Sequence, residues 1–210
     1  MKYYKDKRRV IAVFIAVILM GLSLSFLIRV NFGTDPASTM NLGLAQKFGM
    51  SFGTWQILFN GLLLIAVLIF DRRQVGIGTV ANMVIIGYST DFFTWIFDLF
   101  IPENLFTNFI VRVAVLIPSL ILFIFAAATY MSVELGSSPY DAVAFIIADK
   151  LKKIPFRIVR ICYDVAAAAI GYLLGSTIGL VTVVVAFALG PVITYVKGKL
   201  DKYFAKGAVA

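Results

Sequence analysis

The stretches R-V-N-F-G-T-D-P at 29–36 and S-V-E-L-G-S-S-P at 132–139 decide how this chain folds. Each ends an apolar run and opens a short helix-like segment, at 36–48 and 139–151. Thirteen residues rising about 1.5 Å each reach about 20 Å, too little to cross a hydrocarbon core of about 30 Å. Both begin with a helix-start signature, Asp35 before Pro36 and Ser138 before Pro139: an N-cap residue, then proline in the first turn. Ser38, Thr39, Asn41, Asp141 and Asp149 make both too polar to face lipid. They read as half-helices that dip into the membrane and return.

The two stretches are copies. A shift of 103 sets Val30 on Val133, Gly33 on Gly136, Pro36 on Pro139, Ala45 on Ala148 and Lys47 on Lys150, with Thr34 on Ser137. It later sets Gly76 on Gly179, Thr79 on Thr182, Val80 on Val183 and Gly87 on Gly190; between these, a shift of 104 aligns Phe52 with Phe156 and Asn60 with Asp164. The expected organisation is a membrane repeat at 10–98 and a second at 112–196. An aromatic-rich connection at 99–111 joins them, and basic tails at 1–9 and 197–210 flank them.

Around this core the composition speaks for a membrane. Of 210 residues, 61% are apolar and 14% charged, against roughly 25% charged in a soluble domain, and mean hydropathy is +0.95. The expected fold is all-α and polytopic. Six crossings fall at about 10–30, 51–70, 75–97, 113–133, 158–176 and 178–196, with the two half-helices between them. Three crossings per repeat make the repeats inverted, whereas four would make them parallel. The positive-inside tally is the same for both, so segment length carries the choice. Nineteen Lys and Arg against eleven Asp and Glu give +8, nearly all of it in the two tails, which places both termini in the cytoplasm. The basic start and apolar run read as a retained first helix rather than a signal peptide.

The same composition excludes much. There is no histidine, which removes His-ligated metals, Ser-His-Asp or Cys-His catalysis and histidine proton relays. Cys162 has no partner for an internal disulfide and sits in an apolar stretch. No P-loop, dinucleotide glycine motif or metal cluster is present, and no basic stripe interleaved with aromatics points to nucleic acid. Neither an enzyme nor a cofactor is expected.

The candidate solute site centres on the two breaks. In inverted-repeat transporters, interrupted helices aim their N-termini at a central site, where freed N–H groups favour polar or anionic groups. Gly33 and Gly136 suit the tight backbone there. Arg29, Asn31, Asp35 and Ser38 surround the first break; Glu134, Ser138 and Asp141 surround the second. Glu134 and Asp141 are candidate proton or cation carriers, and Arg29 a candidate anion clamp. Asn60 and Asp164 are matched polar residues inside the second and fifth helices, and Arg160 lies four residues before Asp164, where the two can pair. Thr79, Thr182, Asn82 and the ladders Ala12/Ala16 and Gly171/Gly175/Gly179 read as helix contacts. Ala12 and Ala16 also offer a face for a partner, and Trp95 with its neighbours fits an aromatic belt.

The Gly-x-x-Pro breaks, with G-I-G-T-V-A-N at 76–82 leading to Gly87 and Asp91, resemble the YczE/YyaS/YitT-type family of bacterial membrane proteins over about 12–196. The second copy departs from this form, with Leu180-Val181 in place of Ile77-Gly78. The resemblance implies a small multi-pass protein of the bacterial inner membrane and brings no catalytic residues with it. The leading functional expectation is a secondary transporter or exporter of a small polar or anionic solute held between the repeats. The alternatives are a solute-binding subunit that works with an energising partner, and a structural or regulatory membrane factor. A homodimer is compatible with each.

Overall fold

The computed structural model describes residues 6–206; the outermost parts of both basic tails lie outside the described residues. Its elements are helical throughout: α1 (Lys7–Val30), α2 (Pro36–Phe48), α3 (Phe52–Phe70), α4 (Ile77–Phe100), α5 (Phe109–Ser132), α6 (Pro139–Lys150), α7 (Phe156–Leu173) and α8 (Leu180–Lys206). Short 3-10 turns at Arg72–Gln74 and Glu103–Thr107 join α3 to α4 and α4 to α5.

The half-helices form where capping chemistry dictates. Asp35 and Ser138 are extended N-caps whose side chains accept from the Ser38 and Asp141 amides at 3.1 and 3.0 Å. Other boundaries differ from expectation for equally local reasons. Asp6 caps α1, so the helix begins at Lys7 inside the basic tail. Asn108 accepts from the Ile110 amide at 2.8 Å and starts α5 inside the expected connection, which also contains the end of α4 and a 3-10 turn. At the far end, α8 runs through the second basic segment to Lys206.

Among the described residues, α1, α3, α4 and α5 are each long and apolar enough to cross a membrane, and the two halves of α8 taken as one bent span make five, against the six expected. The expected crossings at α7 and α8 are interrupted by charge and by a bend. Within its 18 residues α7 carries Arg157, Arg160 and Asp164. A bend of 60° divides α8 between Leu180–Phe187 and Gly190–Leu200, next to Pro191.

At the centre, α1 and α5 run antiparallel. Arg9 near the start of α1 donates to the Ser132 and Val133 carbonyls at the end of α5, while Arg112 near the start of α5 donates to the Val30 and Asn31 carbonyls at the end of α1. Helices α1, α4 and α5 enclose the main core, in which Val13, Ala16, Val17, Leu24, Ile86 and Val133 are buried. Ala12 packs against the same cluster. The Ala12/Ala16 face is thus covered by the protein's own helices.

Candidate functional site

The start of α4 packs against the second break and the start of α8 against the first, as a matching pair. The Gly78 amide donates to the Leu135 carbonyl at 2.8 Å, and the Val181 amide, 103 positions later, donates to the Phe32 carbonyl at 3.0 Å. Gly33 (φ +85°) lies against Thr182 and Gly179, where an added Cβ would stand 2.6 Å from the Gly179 nitrogen. Gly136 (φ +118°) lies against Thr79 and Gly76, where it would stand 2.7 Å from the Gly76 nitrogen. Glycine is required at both positions by backbone angle and by space. The arginine contacts between α1 and α5 obey the same shift, because Arg9 corresponds to Arg112 and Val30 to Val133. Each arginine covers carbonyls that the end of the opposite helix leaves without an intrahelical partner.

The N-termini of α2 and α6 meet at a cavity of about 550 Å³. Asp35, Ser38 and Asn41 enter it from α2 and its cap, Gln56 and Asn60 from α3, and Asn82 from α4. From the second half come Ser138, Tyr140 and Asp141 at the start of α6, and Arg157, Arg160 and Asp164 on α7. Apolar walls such as Leu24, Ile86, Phe123, Phe145, Phe156 and Val185 complete it. Convergent polar groups in an otherwise apolar concavity are the usual form of a small-molecule site.

The two halves furnish this cavity differently. In the second, Arg160 donates to Asp141 at 2.5 Å and to Asp164 at 2.9 Å, and the Tyr140 hydroxyl donates to Asp164 at 2.9 Å. This network ties the half-helix α6 to α7. The equivalent positions in the first half are Ser38, Gln56 and Asn60, all uncharged, and Asn60 donates to the Gln56 carbonyl at 3.0 Å.

Of the sequence-predicted residues, Asp35, Ser38, Asn60, Ser138, Asp141 and Asp164 come together here. Gly33 and Gly136 shape the breaks beside the cavity without lining it. Arg29 lies elsewhere: it holds Asp98 at 2.6 Å and the Ile101 carbonyl at 3.2 Å, at the end of α4. Asn31 is the left-handed C-cap of α1, and its carbonyl accepts from Arg112. Glu134, also left-handed at φ 54°, is half exposed and lies 3.9 Å from Lys197 in a second pocket of about 310 Å³. That pocket shares Tyr130, Met131, Asp141 and Phe145 with the cavity.

Sequence reasoning missed Gln56, Tyr140, Asn41 and Tyr130 as cavity residues. Only Gln56 carried a signal, since the shift of 104 sets it on Arg160. Asp91 of α4 accepts from the Gly53 amide at 3.0 Å and satisfies the start of α3.

No solved structure matches this chain. Among curated proteins it is 26% identical over 140 residues to the uncharacterized protein YyaS of Bacillus subtilis, covering 66% of this chain and 68% of that protein. It is 29% identical over 118 residues to the uncharacterized membrane protein YczE of the same organism, covering 56% of this chain and 52% of YczE, so the match spans about half of that relative. An uncharacterized protein of Haemophilus influenzae is 24% identical over 180 residues, 86% of this chain and 79% of that protein. Residues 7–198 match the family of unknown function DUF6198, and the chain, a helical membrane protein related to YyaS and YczE, belongs to that family.

Proposed function

We propose that this protein is a secondary transporter of a small polar solute, built as two inverted repeats that hold the solute between them. The observation that carries the reading is the cavity of about 550 Å³ at which the N-termini of both half-helices converge with polar side chains from both halves. The antiparallel run of α1 and α5, which occupy matching places in the two repeats, supports the inversion. On this reading α7 and α8 are the fifth and sixth crossings, and the charges of α7 are tolerated because they face the cavity. The basic tails put both ends at the cytoplasmic face of a bacterial inner membrane. Three carboxylates beside the cavity argue for a polar solute over an anionic one.

Transport by rocking one repeat against the other requires each break to become reachable from its own side in turn. Ser137 and Thr34 are matched positions on the two breaks: Ser137 is half-buried beside the second pocket, and Thr34 is buried and bonded to Thr39. Ser137→Cys and Thr34→Cys, each on a Cys162→Ala background in liposomes, are to be probed from either side with a membrane-impermeant maleimide. Alternating access expects labelling at 137 from one side and at 34 from the other, with the two rates changing in opposite directions when solute is added. Labelling fixed at one position under every condition would sink the reading.

A further inference from the structure

The furnishing of the cavity points to the chemical class of its ligand, and this step rests on the transporter reading. Among the described residues, three buried polar groups lining the cavity find no hydrogen-bond partner in the protein: Asp35 Oδ2, Asn41 Oδ1 and the Tyr130 hydroxyl. Two of these are carbonyl or carboxylate oxygens, acceptors in the amide and in the ionised acid, and Asn41 is just 5% exposed. Buried polar groups are normally satisfied, so unmet acceptors on residues that line one cavity point to a donor supplied there.

Formal charge gives a second, independent indication. The cavity lining holds three carboxylates, Asp35, Asp141 and Asp164, against two guanidiniums, of which Arg160 is occupied by the latter two. Arg157 is exposed. The half-helix N-termini do not redress the balance for an anion, because Asp35 and Ser138 already cap the Ser38 and Asp141 amides, and the Thr39 and Ala142 amides bond to the Asp35 and Ser138 carbonyls. An excess of carboxylates among apolar walls favours a positively charged group.

We propose that the cavity binds a small amphipathic amine, its ammonium donating to Asp35 and Asn41 and its apolar body lying against Phe123, Phe145 and Val185. The second-half network of Tyr140, Asp141, Arg160 and Asp164 is the fixed wall, and α2 supplies the open acceptors.

The test compares three near-isosteric probes on the purified full chain in detergent: 3-phenylpropylamine, 3-phenylpropionate and 3-phenylpropanol. A ligand of the folded state raises apparent thermal stability in a saturable way. The amine is expected to raise it saturably, with the alcohol and the acid giving at most a small, non-saturating change from micelle partition. Asp35→Asn retains an oxygen able to cap Ser38 and is expected to abolish the amine shift. Asp149→Asn removes an equal charge from the exposed end of α6, outside the cavity, and is expected to keep it. Equal or greater stabilisation by the acid, an undiminished amine shift in folded Asp35→Asn, or no shift with any probe would each overturn the assignment. Cysteine accessibility needs no identified ligand, so alternating labelling with a failed amine test would remove the amine and leave the transporter reading standing.

Discussion

Arg160→Gln is the single change expected to damage this protein most selectively. Arg160 is held by two carboxylates, and its loss leaves Asp164, whose side chain is 7% exposed, and Asp141, 28% exposed, facing one another without a cation. Removing one member of a buried pair commonly costs about 3–5 kcal/mol. The Arg160 side chain is itself 31% exposed, so solvent screening reduces this to about 2–3 kcal/mol. In a chain of this size that lowers the melting temperature by about 4–12 °C. The first half shows how to repair the damage, because the same three positions there carry Ser38, Gln56 and Asn60 on a matching backbone. The triple variant Asp141→Ser, Arg160→Gln, Asp164→Asn rebuilds that uncharged set. It is expected to recover to within about 1 kcal/mol of the parent, because no carboxylate is left without a partner. The assay is apparent melting in detergent at one fixed scan rate, since unfolding is treated as irreversible. Recovery in the triple is a strongly non-additive result of the kind expected only for groups acting as a unit. A triple variant as unstable as Arg160→Gln, or an Arg160→Gln protein melting with the parent, would refute the reasoning.

Three further outcomes follow from the breaks. Arg112→Ala removes two charge-assisted hydrogen bonds, at 2.7 and 2.9 Å, and a contact 4.2 Å from the Phe32 ring centre, so it is expected to cost about 2–4 kcal/mol and raise amide exchange across 31–35; unchanged exchange would deny it a role in holding the break. Gly33→Ala is expected to cost more than about 2 kcal/mol through positive φ and collision with the backbone of Gly179, while Gly61→Ala, with nothing within 4 Å, is expected to gain up to about 1 kcal/mol; equal melting of the two would contradict the packing described. Glu134→Gly relieves a left-handed non-glycine residue whose side chain is 55% exposed, and melting is expected to stay level or rise by the equivalent of up to about 1 kcal/mol, with a marked fall counting against the geometry.

What was legible in the sequence was what local chemistry controls. An acceptor followed by proline starts a helix wherever it stands, so α2 and α6 were readable with their caps and lengths. Asp164 and Arg160 pair across one helical turn, which spacing alone permits. Contacts between distant segments were harder to see. Arg29 sits beside the first break in sequence, yet it reaches Asp98, 69 positions away, because its side chain leaves the helix end on the side of α4. Arg9 and Arg112 are matched by the same shift of 103, but a first repeat bounded at residue 10 leaves Arg9 in the tail, where a basic run at 7–9 reads as a topology signal before it reads as a latch. Cavity residues such as Asn41 and Tyr130 carry no pattern of their own. Their role arises only when α2 and α5 are brought to the same space.

The places where the halves diverge say more about the proposed mechanism than the places where they agree. Two identical inverted repeats would make the states open to either side equal in energy, because each state would be the other turned over. Differences in side chains at matched positions are what can bias one against the other. At the first break Phe32 meets Phe109 edge-on at 5.9 Å, with the Arg112 guanidinium over its face. At the second, Leu135 stands in place of Phe32, and Ser137 and Glu134 border a pocket that shares four residues with the central cavity. On the proposed reading the second break, at the face from which α1 begins, is the side from which a solute enters. Charge differs between the halves too: an ionic network fixes α6 to α7, while Asp35 and Asn41, on α2 and its cap, carry unmet acceptors. On the proposed reading a solute entering from the second break would pass a rigid wall and find its partners on α2. Binding there acts on the half whose movement is needed to open the other exit, a coupling that a symmetric pair of repeats would lack.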